Sequence, residues 1–197
     1  LYHHENAASA FGACIVISIV IGFCMSRIPV HHKKIKVKEG FSIVSFGWIL
    51  VSIIGALPFV FSGSIPSFID AFFETVSGFT TTGATLVDDV ESLPYGILFW
   101  RSFTHWVGGM GILVFTLALL PAIGVGTFQI YKAEAPGPIA DKIVPRIRDT
   151  AKVLYITYIG LTLLQIVLLK LGGMNLFEST LHTFGTVGTG GFSTRNS

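Results

Sequence analysis

The chain has 197 residues, of which 51% are hydrophobic and only 12% charged, with a mean hydropathy of +0.72; that composition excludes an ordinary soluble domain and indicates a polytopic membrane protein. The net charge of +2 carries no nucleic-acid signal, because ten of the thirteen Lys and Arg fall in two short segments, where they set membrane topology. Cys14 and Cys24 lie ten residues apart in one apolar run, on different faces of a helix, and support neither a disulfide nor a metal site.

Leu1 to Glu5 lacks the basic region of a cleavable signal, and the chain does not begin with Met, so a fragment of a longer protein is expected. Residues 6 to 26 are uncharged, 21 residues where about 20 cross a bilayer core; this is a first predicted span. Arg27, Lys33, Lys34, Lys36 and Lys38 follow, with His31 and His32 among them, and mark a solvated cytoplasmic loop. Gly40 to Phe61 is a second uncharged span, with Pro58 near its far end. From there to Phe99 the chain has Asp70, Glu74, Asp88, Asp89 and Glu91 but no Lys or Arg, which places it outside. Asp88, Asp89 and Glu91 either concentrate cations at an outer mouth or form a plain polar turn.

A third span is predicted from about Leu98 to Leu120, in which Gly108, Gly109 and Gly111 permit close helix packing. Lys132, Lys142, Arg146, Arg148 and Lys152 mark a second cytoplasmic loop, broken by Pro136, Pro138 and Pro145. A fourth span covers Val153 to Leu169, with Lys152 and Lys170 snorkelling at its ends.

Between the second and third spans lies Ser77-Gly78-Phe79-Thr80-Thr81-Thr82-Gly83-Ala84-Thr85, uncharged and small. Irregular backbone at membrane depth is tolerated only where it is buried in protein or lines a wet cavity. Gly permits unusual dihedrals and small side chains let strands converge, so that carbonyls can replace the hydration shell of a cation. The chain repeats the arrangement at an offset of 108 residues: Ser67 and Asp70 fall on Asn175 and Glu178, Thr75 on Thr183, and Gly83 on Gly191. Each copy opens with a helix N-cap and an acid three positions later. A short helix would then aim its negative end at the strand that follows.

The expected filter residues are Thr80, Thr81, Thr82 and Gly83 in the first copy, and Thr186, Val187, Gly188, Thr189, Gly190 and Gly191 in the second. A flexible external loop is the plain alternative, and the fixed offset argues against it. Arg101 and His105, four apart on one helix face, either guard an ion path or pair with Glu74 or another external acid; snorkelling is open for Arg101. Glu74 lies within the first short helix, with His182 as its counterpart, and either serves the pathway or has a capping or packing role. A membrane enzyme would need convergent nucleophile, base or HExxH groups, and none occurs at usable spacing, so no catalysed chemistry is expected. A structural membrane subunit with no pathway of its own is the other alternative.

The expected fold is an all-α membrane protein with re-entrant pore helices and filter loops. Its expected divisions are a helix and basic loop over 1–39, a first span, pore-helix and span repeat over 40–122, a cytoplasmic loop over 123–150, and a second repeat truncated over 151–197. A carbonyl ring needs roughly four strands, so two supply half.

The run from Asp70 to Thr85 closely resembles the first pore loop of the Trk/Ktr/HKT potassium transporter superfamily, specifically its TrkH-type membrane subunits. So do Phe99-Trp100-Arg101-Ser102 with His105-Trp106-Val107-Gly108-Gly109-Met110-Gly111, while Tyr131 to Pro138 resembles the family's loop between repeats and Thr189 to Thr194 its second filter. The resemblance implies four potassium-channel-like M1-P-M2 repeats after an N-terminal hairpin, and potassium uptake across a bacterial inner membrane. It implies one glycine per repeat at the narrowest point, here Gly83 and Gly191, and potassium held at Thr81, Thr82, Gly83, Gly190 and Gly191 as the transported ligand, with no covalent cofactor. It further implies a homodimer in the lipid bilayer, working with a cytosolic, nucleotide-binding, TrkA-like regulatory subunit. A gating loop belongs to the family's third repeat, beyond these residues.

Overall fold

The computed structural model describes residues 3–29, 37–111 and 147–196, and every regular element among them is an α-helix. In chain order these are α1 (His3–Ser26), α2 (Val37–Phe61), α3 (Phe68–Phe79), α4 (Tyr95–Met110), α5 (Ile147–Leu171) and α6 (Leu176–Val187). Three are long and apolar enough to cross a bilayer, within Ala7–Ser26, Ser42–Phe61 and Lys152–Leu171. Only 11% of the first and third of these windows is buried, so Ile15, Ile19, Phe23, Leu163, Leu164 and Val167 point outward. In water such surfaces would drive aggregation; in a bilayer they face acyl chains.

The short helices α3 and α6 have 12 residues each, roughly 18 Å of rise at 1.5 Å per residue, too little to cross. Each starts as its sequence demands. Ser67 Oγ accepts from the Asp70 amide at 3.4 Å and Asn175 Oδ1 from the Glu178 amide at 2.9 Å, satisfying amides that no helical carbonyl can reach.

The first predicted span is extended by α1, the second by α2 and the fourth by α5. The third differs. α4 starts at Tyr95 because Pro94, fixed near φ −57°, offers its carbonyl to the amides of Ile97 and Leu98 and lacks only an N–H the helix start does not need. It ends at Gly111, whose φ of 68° turns the chain out of the helix; residues 112–120 of the predicted span lie outside the described residues. So do His31, His32 and the run from Tyr131 to Pro138.

α4 is the central element, packed against α3 on one side and α6 on the other, while α2 covers α3 and α5 covers α6. Two tryptophans fasten this order. Trp100 donates to the Gly55 carbonyl of α2, and Trp106 donates to Thr162 of α5 at 3.0 Å. Ala56, Phe59, Ile65, Ala71 and Ile97 form one core cluster around α2, α3 and α4, and Val90, Leu98 and Leu181 a second toward α6. Of the glycines at the end of α4, a side chain on Gly108 would strike the Phe79 backbone, and one on Gly109 would strike Gly188 and Tyr158. α4 therefore touches the C-terminal end of both short helices.

Candidate functional site: two paired glycine strands

Both short helices run directly into extended chain, and the two junctions match residue for residue at the 108-residue offset. In the first, the amides of Thr80, Thr81 and Thr82 turn back to the carbonyls of Val76, Gly78 and Ser77. In the second, the amides of Gly188, Thr189 and Gly190 turn back to Phe184, Thr186 and Gly185. Thr81 and Thr189 take φ of 54° and 59°, and Gly83 and Gly191 take 75° and 86°. A threonine in that left-handed region is strained, and such strain persists only where the surroundings impose it.

With the amides spent on their own helix ends, the carbonyls are left over. Among the described residues, none of the carbonyls of Thr80 to Gly83 or of Gly188 to Gly191 accepts a hydrogen bond. The helix termini behind them add partial negative charge. The two strands also meet: a Cβ on Gly83 would overlap the carbonyl oxygen of Gly190. Gly83 and Gly191 line one cavity of about 200 Å³ with Thr85, Arg101, Phe192 and Ser193. Uncommitted carbonyls, helix C-termini and a shared cavity give a site suited to a cation stripped of water.

Behind the strands, buried polar groups fix the chain that leaves them. Ser77 Oγ donates to the Ala84 carbonyl at 2.5 Å. Glu74, fully buried, accepts from Thr85 Oγ1 at 2.8 Å and from the Leu86 amide at 3.1 Å. In the second copy His182 Nε2 lies 3.2 Å from Thr194 Oγ1, so a different side chain at the equivalent position holds the equivalent strand. Arg101, 2% exposed, donates through Nε to Glu74 Oε1 at 2.7 Å. A buried pair of this kind needs further hydrogen bonds around it; Glu74 has those from Thr85 and Leu86, and Arg101 Nη1 donates to the Ser193 carbonyl. His105 is fully buried beside Gly190, and a side chain on Gly190 would enter the imidazole ring. Its Nε2 has no partner among the described residues.

Of the residues expected in the filter, Thr80 to Gly83 and Gly188 to Gly191 lie in the two strands or at their helix caps. Thr186 and Val187 do not. Both belong to the last turn of α6, and the Thr186 carbonyl accepts from the Thr189 amide at 3.1 Å, so it is already committed. The offset shows the reason: Thr186 and Val187 correspond to Gly78 and Phe79 in α3, and a Gly/Thr run gives no mark of where helix yields to strand. Glu74 and Arg101 meet each other, and Arg101 is held inside instead of snorkelling. The sequence gives no sign of the contacts that Phe192, Ser193 and Asn196 make, since their partners lie about a hundred positions away. Asn196 Oδ1 accepts from the Val90 amide at 2.8 Å and its Nδ2 donates to Asp89 Oδ1 at 2.9 Å. That bond is the main cause holding the exposed Asp89 carboxyl below its usual pKa.

Residues 3–197 match the TrkH family, described as a cation transport protein. The chain is 44% identical over 200 residues to the Trk system potassium uptake protein TrkH of Escherichia coli K12, covering all of this chain and 41% of that protein. It is 41% identical over 203 residues to the Trk system potassium uptake protein TrkG of the same organism, again covering all of this chain and 41% of the relative. The crystal structure of the potassium transporter TrkH from Vibrio parahaemolyticus superposes with a TM-score of 0.75 at 37% identity, over 96% of this chain and 38% of that one. The chain thus spans about two fifths of the length of these relatives.

Proposed function

The chain belongs to the TrkH family of cation transport proteins, and from that premise we propose that it forms part of the ion-translocating subunit of a potassium uptake system in a bacterial inner membrane. In this proposal the carbonyls of Thr80 to Gly83 and Gly188 to Gly191 dehydrate the ion, with Gly83 and Gly191 at the narrowest point. The observation that carries it is the pairing of two equivalent strands whose carbonyls have no hydrogen-bond partner among the described residues and whose glycines line one cavity. Residues 40–122 and the segment from 151 onward act as successive repeats around one axis, after the helix and basic loop of 1–39. Family membership also supports a homodimer bound to a cytosolic nucleotide-binding subunit, which co-purification from membranes would test.

Potassium and sodium flux into proteoliposomes holding the full-length protein tests the assignment. Gly83→Ser puts a side chain onto the Gly190 carbonyl and imposes a left-handed conformation on a residue that resists it. The expected result is a fall in the potassium-to-sodium ratio of about tenfold, the equivalent of roughly 1.4 kcal/mol. An unchanged ratio in folded protein would count against the filter assignment.

A further inference from the structure

What fixes one strand against the other is not backbone pairing. Among the described residues, the amides of Thr80 to Thr82 and of Gly188 to Gly191 return to their own helix, and no backbone hydrogen bond crosses between strands. The connection runs through side chains instead. Glu74 holds Thr85 and Leu86, just beyond the first strand, and also holds Arg101 Nε. From the same guanidinium, Nη1 donates to the Ser193 carbonyl at 2.9 Å, just beyond the second strand. The guanidinium carbon lies 3.8 Å from the centroid of the Phe192 ring, and the His105 ring stacks on Phe192 at 4.0 Å. The Phe192 amide points to His105 Nδ1 at 3.5 Å. Phe192 is thus seated on the α4 face that carries Arg101 and His105.

We propose that Arg101 is a specificity-determining positioning residue, which sets the spacing and stagger of the second glycine strand against the first by spanning Glu74 and the Ser193 carbonyl. The proposal rests on the assignment of these strands as the filter. Arginine suits the task because its planar fork presents donors in fixed directions, so one group can hold a carboxylate and a carbonyl at a set separation while its face covers an aromatic ring. Lysine, a point charge on a flexible stem, can keep one partner but has neither the second fixed donor nor the flat face. Burial matters equally: Arg101 is 2% exposed, and a hydrogen bond in a low-dielectric setting is stronger than one in water. A shift of the second strand moves four carbonyls together, and discrimination between cations depends on how those carbonyls are disposed around the ion.

The test is Arg101→Lys in the full-length protein, reconstituted at equal amounts of folded, monodisperse material, with potassium and sodium fluxes measured across a concentration series. The expected result is a fall of about tenfold in the potassium-to-sodium ratio and a raised KM for potassium, the scale of losing one charge-assisted hydrogen bond. Phe192→Leu, which leaves the Glu74 pair in place, should move the ratio in the same direction by a smaller factor. If Arg101→Lys does not fold, Phe192→Leu decides: a lowered ratio supports the brace and an unchanged one overturns it. An unchanged ratio in folded Arg101→Lys, with only the rate reduced, overturns the brace and leaves the filter assignment standing. Wild-type protein with no preference for potassium overturns both.

Discussion

At the residue scale the glycines of this chain differ sharply in what surrounds them. A Cβ on Gly190 would lie inside the His105 ring, whereas one on Gly12 or Gly160 would meet nothing within 4 Å among the described residues. Gly190→Ala must therefore displace the imidazole that seats Phe192, and overpacking of this kind costs about 1–3 kcal/mol. Gly12→Ala and Gly160→Ala, both in helix interiors, should instead raise stability by about 0.5–1 kcal/mol. Melting temperatures in one detergent should move in opposite directions for the two classes. The Gly/Thr composition was legible in the sequence, and it pointed to the strands. Which glycine admits no side chain was not, because the obstacle to Gly190 comes from His105, 85 positions away.

At the scale of elements, the two short helices carry the same cap at different quality. The amide-to-cap distance is 2.9 Å at Asn175 and 3.4 Å at Ser67, and losing a good N-cap costs about 1 kcal/mol. Asn175→Ala should thus lower the melting temperature more than Ser67→Ala, and equal effects would show that the difference in geometry has no energetic weight. The Glu74 and Arg101 pair, which joins α3 to α4, carries more. Glu74→Gln leaves a buried guanidinium without its counter-charge, a loss of about 3–5 kcal/mol, visible as a lower melting temperature together with weaker retention of the Thr85 and Leu86 chain. Cap residues announced α3 and α6 because capping is local chemistry. The limits of α4 were hidden, since the apolar run from Ile97 onward does not register that Pro94 can start a helix or that Gly111 turns out of it.

At the scale of the whole molecule, the packing of the two copies is supplemented by side-chain ties, one deep inside through Arg101 and one at the outer surface through Asn196. The outer link titrates. Asp89 has a lowered pKa in the folded protein, chiefly because the Asn196 amide donates to it, so its contribution is present above the ordinary carboxylate pKa and is lost as pH falls through the lowered one. Protection of the Val90 amide, which donates to the same Asn196 side chain, measured as its hydrogen exchange relative to the intrinsic rate at each pH, should stay high at neutral pH and fall only under strongly acidic conditions. Asn196→Ala should remove that protection at every pH, and full protection in that variant would remove the link. Glu74 was among the partners open to Arg101 from the sequence, but the Ser193 and Asn196 contacts were not legible, because each joins positions about a hundred apart. The duplication was legible, because equal spacing survives in a string of letters.

That equal spacing also governs where the chain tolerates changes of length. From Ser67 to Gly83 and from Asn175 to Gly191 the helix caps, returning amides and left-handed residues fall at identical positions in both copies. One codon added or lost inside either window would rotate the emerging strand and swing its oxygens away from the cavity that both strands line. Insertions and deletions among homologous genes should therefore spare the two windows.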